Sequence, residues 1–446
     1  MTIARLFIAN RGEIAVRIVR TCRELGIETV VGVSTADRDS MAAGLADRAV
    51  VIGPPHASDS YLRVDTIVQA ALGTGADAIH PGYGFLAESP ALAEATTQAG
   101  LRFVGPPAAV IATAGDKLAA RALAQRAGLP VVPGREIATL EEAEAFAREH
   151  GYPVLLKAAA GGGGRGIKLA GDLAQLRLRH GLARAEAGAA FGDERLYIER
   201  LIASARHIEV QIAADERGGV IHLGERDCST QRRYQKLVEE APAPALEPRL
   251  RAALLDAAIA FAKAIGYRNL GTVEFVLDAD TGEHHFLECN CRIQVEHPVT
   301  EALTGLDLVA LQLAIADGEP LACAQRDVAF DGHAIECRLV AEDPAAGFAP
   351  SPGRVTRFAL PDLAGLRVDT HCRDGTLIPP YYDSLMAKLI AHAPDRDGAL
   401  ATMGRALEQL EVEGVRTNRE LLARIIADPR FRAGAVTTTW LEQAPA

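Results

Sequence analysis

Side chains able to bind an anion, hold a cation or accept a proton recur at every second position of one short run. In FLECNCRIQVEHPVTE, residues 286–301, they are Glu288, Asn290, Arg292, Gln294 and Glu296. An extended backbone has a side-chain period of two, so it would line all five along one wet, charged face and bury Cys289, Cys291, Ile293 and Val295 on the other. An ordinary exposed strand is the competing reading, but Asn is a poor strand former and the apolar flank reads as buried. Just upstream, LGTVEFVLDADTGEHHFLE reads as strand, turn, strand, and folding it about Thr281 sets Glu274 opposite Glu288. Carboxylates facing each other across a ladder, roughly 5 Å apart, repel unless a cation lies between them. Two carboxylates and the Asn290 amide oxygen suit magnesium, a hard cation that shares its shell with nucleotide phosphates.

The lysines are a second signal. There are six, Lys117, Lys157, Lys168, Lys236, Lys263 and Lys388, in a chain that otherwise writes its cations as Arg. A retained Lys marks a place for a compact ammonium, which meets phosphate oxygens as a point charge; chance placement is the alternative for any single one. Lys157 ends YPVLLK and precedes AAAGGGGRGIKLA, so a buried strand runs into a glycine loop and then into a second strand. Consecutive glycines let backbone amides approach an anion closely. The loop is not a Walker A element, because the Lys precedes the glycines and no GK[ST] follows. A flexible linker is the alternative for such a glycine run, but linkers seldom sit between two apolar strands.

Such residues need elements to hold them. RLFIAN, RGEIAVRIVRTCRELG and ETVVGVS form strand, helix and strand, and DAIHPGYGF and RFVGPP add further strand ends. A doubly wound, Rossmann-like α/β domain is implied over residues 1–115, although only Gly12 follows the first strand and the dinucleotide fingerprint is missing. Helices are expected over 116–127, 140–150 and in RLRAALLDAAIAFAKAIG. Past Gly318 a linker with Pro and Ala leads to HAIECRLVAEDP and a mixed α+β domain over 330–446. At 446 residues and 49% hydrophobic content, the chain has material for several cores. Its net charge of -11 and scattered basic residues argue against nucleic acid or an anionic membrane as partner. No apolar run approaches the ~20 residues of a membrane span, and MTIARLFIANRGE is too short and charged for a signal peptide, so a cytoplasmic protein is expected. Seven Cys without paired spacings read as reduced thiols filling cores, and the single C-x-C has no second half to make a metal site.

In order along the chain, IANRGEIAVRI, HPGYGFLAES, GDK, GGGGRGIK, RHIEVQ, ERDCSTQRRYQKLVEEAP, FLECNCRIQVEHPVTE, GHAIECRLVAEDP and PPYYDSLMAKLI resemble the biotin carboxylase component of biotin-dependent carboxylases. The likeness runs from Ile8 to Leu441. It implies an ATP-grasp domain over 116–318 with its lid at about 131–204, and carboxylation of biotin by bicarbonate through carboxyphosphate at the expense of ATP. By the same resemblance, Lys117 and Lys157 hold ATP phosphates beneath a lid containing Gly163 and Gly164. Glu199, Arg200, Leu201 and Ile202 meet adenine, and His207, Gln231 and Tyr234 flank the nucleotide. Glu274, Glu288 and Asn290 take Mg2+ or Mn2+, while Lys236, Arg292, Gln294 and Val295 surround bicarbonate. Glu296 is the implied base, Arg338 the stabiliser of a biotin enolate, and Tyr83 lies beside the ureido ring. A plain buried ion pair with Glu336 or Asp343 is the alternative for Arg338.

The chain departs from the family at Tyr234, often His; at Cys289 and Cys291, often Met and Thr; and at Ala159 and Ala160, often Ser-Gly. No charged group is lost, and a Tyr hydroxyl can still reach a ribose. The family's biotin is carried on Lys within Ala-Met-Lys-Met, and this chain has no Met-Lys pair, so the biotin carrier protein and the carboxyltransferase are expected on separate chains. The resemblance also suggests a homodimer, and an acetyl-CoA or other acyl-CoA carboxylase as the complete complex, with fatty acid biosynthesis as its setting. A carbamoyl-phosphate-synthetase-like ligase is an alternative, but it needs a duplicated half that is missing here. A non-catalytic nucleotide sensor is the other, and it would be expected to have lost some of Glu274, Glu288, Arg292, Glu296 or Arg338.

Overall fold

The computed structural model describes residues 2–158, 168–191 and 194–443. The amino-terminal strands are apolar along their length because helices cover both faces of their sheet. It is parallel and five-stranded, in the order Arg48–Gly53, Glu28–Ser34, Arg5–Ile8, Ala78–His80, Arg102–Phe103. Leu6 and Ile8 pack with Ile14 and Ile18 on one face, and Phe7 packs with Ile67 and Leu92 on the other. Strand order reverses at Arg5–Ile8, so a crevice opens beyond its carboxyl end, as the doubly wound pattern requires. There Asn10 Nδ2 donates to the carbonyls of Pro81 at 2.6 Å and Tyr83 at 2.7 Å, tying two strand ends together. Gly82, at φ +62, lies so close that a Cβ would stand 2.8 Å from that Asn10 nitrogen.

Residues 134–200 build a small four-stranded antiparallel sheet, ordered Gly134–Ile137, Leu196–Arg200, Val154–Ala158, Lys168–Ala170. The helix Leu140–His150 starts in a capping box between Thr139 and Glu142 and places Phe146 in a core with Val154, Leu156, Leu176 and Ile198. The glycine loop expected as the lid, with Gly163 and Gly164, falls at 159–167 and lies outside the described residues.

The third sheet is antiparallel, with eight strands. It runs His284–Asn290, Asn269–Asp278, Ala205–Ala214, Val220–Arg232, Gln235–Ala241, His333–Val340, Leu385–Ala393, Leu366–Thr370. It continues across the linker expected past Gly318, because Gln235–Ala241 pairs directly with His333–Val340. An edge left unpaired there would expose a row of amides and carbonyls. Helix Pro248–Ile265 packs Leu254, Ala258 and Phe261 against one end of the sheet, and Met403 and Leu422 cover Leu389 and Ile335 at the other. No single described helix is long and apolar enough to cross a membrane.

The structure corrects one expectation. The strand carrying the polar run ends at Asn290, and residues 291–296 leave the ladder before the helix His297–Thr304 begins. The polar side is only partly wet, with Glu288 and Arg292 half-buried but Gln294 3% and Glu296 0% exposed; Cys289, Cys291 and Ile293 are buried as expected, and Val295 is half-buried. A strand's alternation stops where its ladder stops, and beyond Asn290 both the charged Glu296 and the apolar Ile293 are buried.

Candidate active site

Register alone sets up the charge problem. Glu288 pairs with Glu274 across one pair of strands, Glu274 with Glu209 across the next, and Glu209 with Arg226 across the third. Three carboxylates side by side, Glu209 and Glu274 buried and Glu288 half-buried, repel strongly unless cations stand among them. Lys236, from Gln235–Ala241, is one such cation: its ammonium lies 2.6 Å from Glu209, 3.1 Å from Glu274 and 2.6 Å from Glu296. Arg226 is another, fully buried and bonded to Glu209 at 2.5 Å, Gln211, Thr272 and Thr300. Burial opposes charge on Lys236, but the surrounding carboxylates hold it well above the usual lysine range.

Glu296 gives one oxygen to Lys236 and the other to Arg338, at 2.8 Å. Burial works against its charge, yet Lys236, Arg338 and Arg226 keep its carboxyl well below the ordinary range. Arg338 also meets Glu239 at 2.5 Å, so its ion-pair partners are Glu239 and Glu296, not Glu336 or Asp343. Arg292 reaches Glu88 at 3.0 Å, the Gln294 side-chain oxygen at 2.7 Å and the Asn290 amide oxygen at 3.1 Å. Glu274 collects donors from Asn290 at 2.8 Å and Gln294 at 3.0 Å, with His207 2.9 Å away. Burial again opposes, but Lys236 and His207 hold the Glu274 carboxyl well below its usual range, and Glu274 in turn raises His207 against the effect of burial.

His207, Lys236, Glu274, Glu288, Asn290, Arg292, Gln294, Glu296 and Arg338 line one cavity of about 870 Å³, and Glu209, Arg226 and Glu239 stand buried behind its wall. Its other end is lined by Lys117, Lys157, Glu199, Arg200, Leu201, Ile202, Gln231 and Tyr234, and Tyr83 stands at the Arg338 side. Lys117 opens the helix Lys117–Arg126, whose first amides are capped by Asp116. Burial lowers its ammonium more than Glu288 restores it, which favours arrival of an anion. Lys157 pairs with Glu199 across the cavity wall. Tyr234 is 60% exposed and sits with Arg233 in a tight turn at φ 66 and φ 48, the left-handed region that non-glycine residues rarely adopt.

Every described residue in the expected site set therefore reaches this cavity, and only Gly163 and Gly164 fall outside the described residues. The donor set suits a divalent cation. Burial, and then Glu274, raise the Glu288 carboxyl, so a positive charge between the two acids would relieve both. Among the described residues two sets of ligand atoms are already gathered, those of His207, Glu209 and Glu274 and those of Glu209, Cys228 and Glu296, and Glu288 belongs to neither. Sequence reasoning missed Glu209, Arg226 and Glu239. Glu209 was within reach, since it alternates with His207 and Gln211 in RHIEVQ. Arg226 and Glu239 gave no such signal, because their partners are distant in sequence.

A large antiparallel sheet with a small second sheet over a cationic cleft defines the ATP-grasp class of ligases. Residues 2–111, 116–324 and 336–443 match the descriptions biotin carboxylase N-terminal domain, carbamoyl-phosphate synthase L chain ATP-binding domain, and biotin carboxylase C-terminal domain. A biotin carboxylase of Pseudomonas aeruginosa is 50% identical over 442 residues, 98% of each chain. Biotin carboxylase 1 of Bacillus subtilis is 49% identical, covering 99% of this chain and 98% of its own. The biotin carboxylase domain dimer of Hydrogenobacter thermophilus 2-oxoglutarate carboxylase, solved with MgADP, ADP and bicarbonate, superposes with a TM-score of 0.95 at 47% identity, over 99% of this chain and 98% of its own. The chain belongs to the biotin carboxylase family.

Proposed function

We propose that this chain uses ATP and bicarbonate to carboxylate biotin held on a separate carrier protein, the first half-reaction of an acyl-CoA or related carboxylase. The observation that carries the reading is Glu296 held between Lys236 and Arg338 in the same cavity as Lys117 and Lys157. Lys117 and Lys157 bind the ATP phosphates, and residues 199–202, His207, Gln231 and Tyr234 hold the rest of the nucleotide. Glu274 and Glu288, with Asn290 beside them, hold Mg2+ or Mn2+, which when bound neutralises phosphate charge. Lys236, Arg292, Gln294 and Val295 bind bicarbonate, and Glu296 takes its proton as a bicarbonate oxygen bonds to the terminal phosphorus and ADP leaves. Carboxyphosphate then breaks its carbon–oxygen bond to phosphate, the departing phosphate takes the proton of the ureido N–H, and the carboxyl passes to that nitrogen of biotin. Arg338 holds the charge that develops on the ureido oxygen, with Tyr83 beside the ring.

A depressed Glu296 is a weak base on its own. Bicarbonate binding to Lys236 competes for the first of the cations that depress it, so its basicity rises as substrate binds. Residues 1–115, 116–318 and 330–446 act as the three units, in a homodimer working in the cytoplasm where ATP is supplied, with carboxyltransferase and biotin carrier on other chains. Phosphate release from ATP and bicarbonate, with and without free biotin, tests the reading. Release stimulated by biotin is expected; release indifferent to both bicarbonate and biotin would count against it.

A further inference from the structure

The segment 291–296 has left the ladder, so its carbonyls need donors from elsewhere. Arg292 donates to Ile293, and Lys388 donates to Val295 at 2.8 Å. Lys388 is 0% exposed, on the strand Leu385–Ala393. Its ammonium also lies 3.2 Å from Glu13, on the helix Gly12–Glu24, and Glu13 accepts the hydrogen bond of the Tyr83 hydroxyl. In the ladder Lys388 sits opposite Arg338, the residue that grips Glu296. Its other neighbour in the ladder, Asp369, takes its side-chain hydrogen bonds from Nε and one Nη of Arg367, so Lys388 acts on it, and on buried Glu336, through charge alone. A buried charge carries a large desolvation cost, and an apolar side chain of the same length would fill the space without it.

We propose that Lys388 is a positioning residue that holds the 294–296 segment and Tyr83 in register, fixing the bicarbonate end of the cleft against the biotin end. The inference rests on the carboxylase reading above. One ammonium bonds the backbone next to Glu296 and, through Glu13, the hydroxyl of Tyr83, so it links three parts of the chain far apart in sequence. A compact ammonium can reach both acceptors, where a guanidinium fork would be too large. Nucleotide and bicarbonate binding leave this lysine unexplained, and the link gives it a role.

The test compares Lys388→Met with the double variant Lys388→Met, Glu13→Gln, in which Glu13 is not left as a carboxylate without its cation. Melting temperature, KM for ATP, KM for bicarbonate and the ATP cleaved per carboxybiotin formed with free biotin are measured for both and for the parent. The double variant is expected to melt close to the parent with KM for ATP unchanged, while KM for bicarbonate rises on the order of tenfold and more ATP is cleaved per carboxybiotin. If bicarbonate KM and coupling return to parental values together with stability, Lys388 only holds the fold and the proposal is overturned. Failure of both variants to fold overturns it too, since the ammonium would then be needed by the structure as a whole. A parent that cleaves no ATP with bicarbonate refutes the carboxylase reading itself, and the role of Lys388 falls with it.

Discussion

Lys236 shows how single residues decide this site, because three acids converge on one ammonium that the family resemblance placed beside bicarbonate but that no local pattern paired with those acids. Removing it with Lys236→Met leaves Glu209, Glu274 and Glu296 buried without that cation, at a cost of about 3–5 kcal/mol. Adding Glu209→Gln should recover much of the stability but not turnover; a double variant that also regained turnover would make Lys236 purely structural. Two histidines give a pH prediction. Burial pushes His80 down to about 3, and burial with nearby Arg11 does the same to His371. Both stay neutral in the fold while the unfolded chain protonates them below about 6.5, so the unfolded state binds more protons and stability falls as pH drops from about 6.5 towards 3. Each contributes a slope of up to about 1.4 kcal/mol per pH unit. His371→Gln should flatten the decline of melting temperature across that window, and an unchanged slope would contradict the assignment.

Elements were legible where their signal is local. The helices Lys117–Arg126 and Leu140–His150 follow the apolar period and their caps, and the Glu274 to Glu288 pairing follows from one hairpin turn. The end of the strand at Asn290 was not legible, because alternation continues through Glu296 while the ladder stops at the Thr272–Asn290 pair, before the partner strand itself ends at Asn269. Burial of the polar face was hidden for the same reason, since its cations come from other strands. Glu288 tests the pairing at this scale. Glu288→Lys puts an ammonium where the two acids would share a divalent cation, so metal-dependent ATP binding and turnover should be lost with the melting temperature little changed. Near-parental turnover would sink the metal assignment.

At the scale of the molecule, one eight-stranded sheet carries Glu274, Lys236 and Arg338, although Arg338 lies in a region expected to be separate from the other two. Pairing of Gln235–Ala241 with His333–Val340 is a contact between strands far apart in the chain, and no local pattern encodes it. That sheet is why Arg338 arrives at Glu296 and why the half-reactions share one cleft. The most direct measurement follows both half-reactions in Glu296→Ala and Arg338→Ala, with melting temperatures taken alongside. A positioned base is worth about 10²- to 10⁴-fold, so Glu296→Ala should cut bicarbonate-dependent ATP cleavage by that order while nucleotide affinity holds. Arg338→Ala should spare that cleavage and lower carboxybiotin formation, separating the two. Equal losses in both half-reactions for both variants, tracking stability alone, would contradict the roles assigned to them.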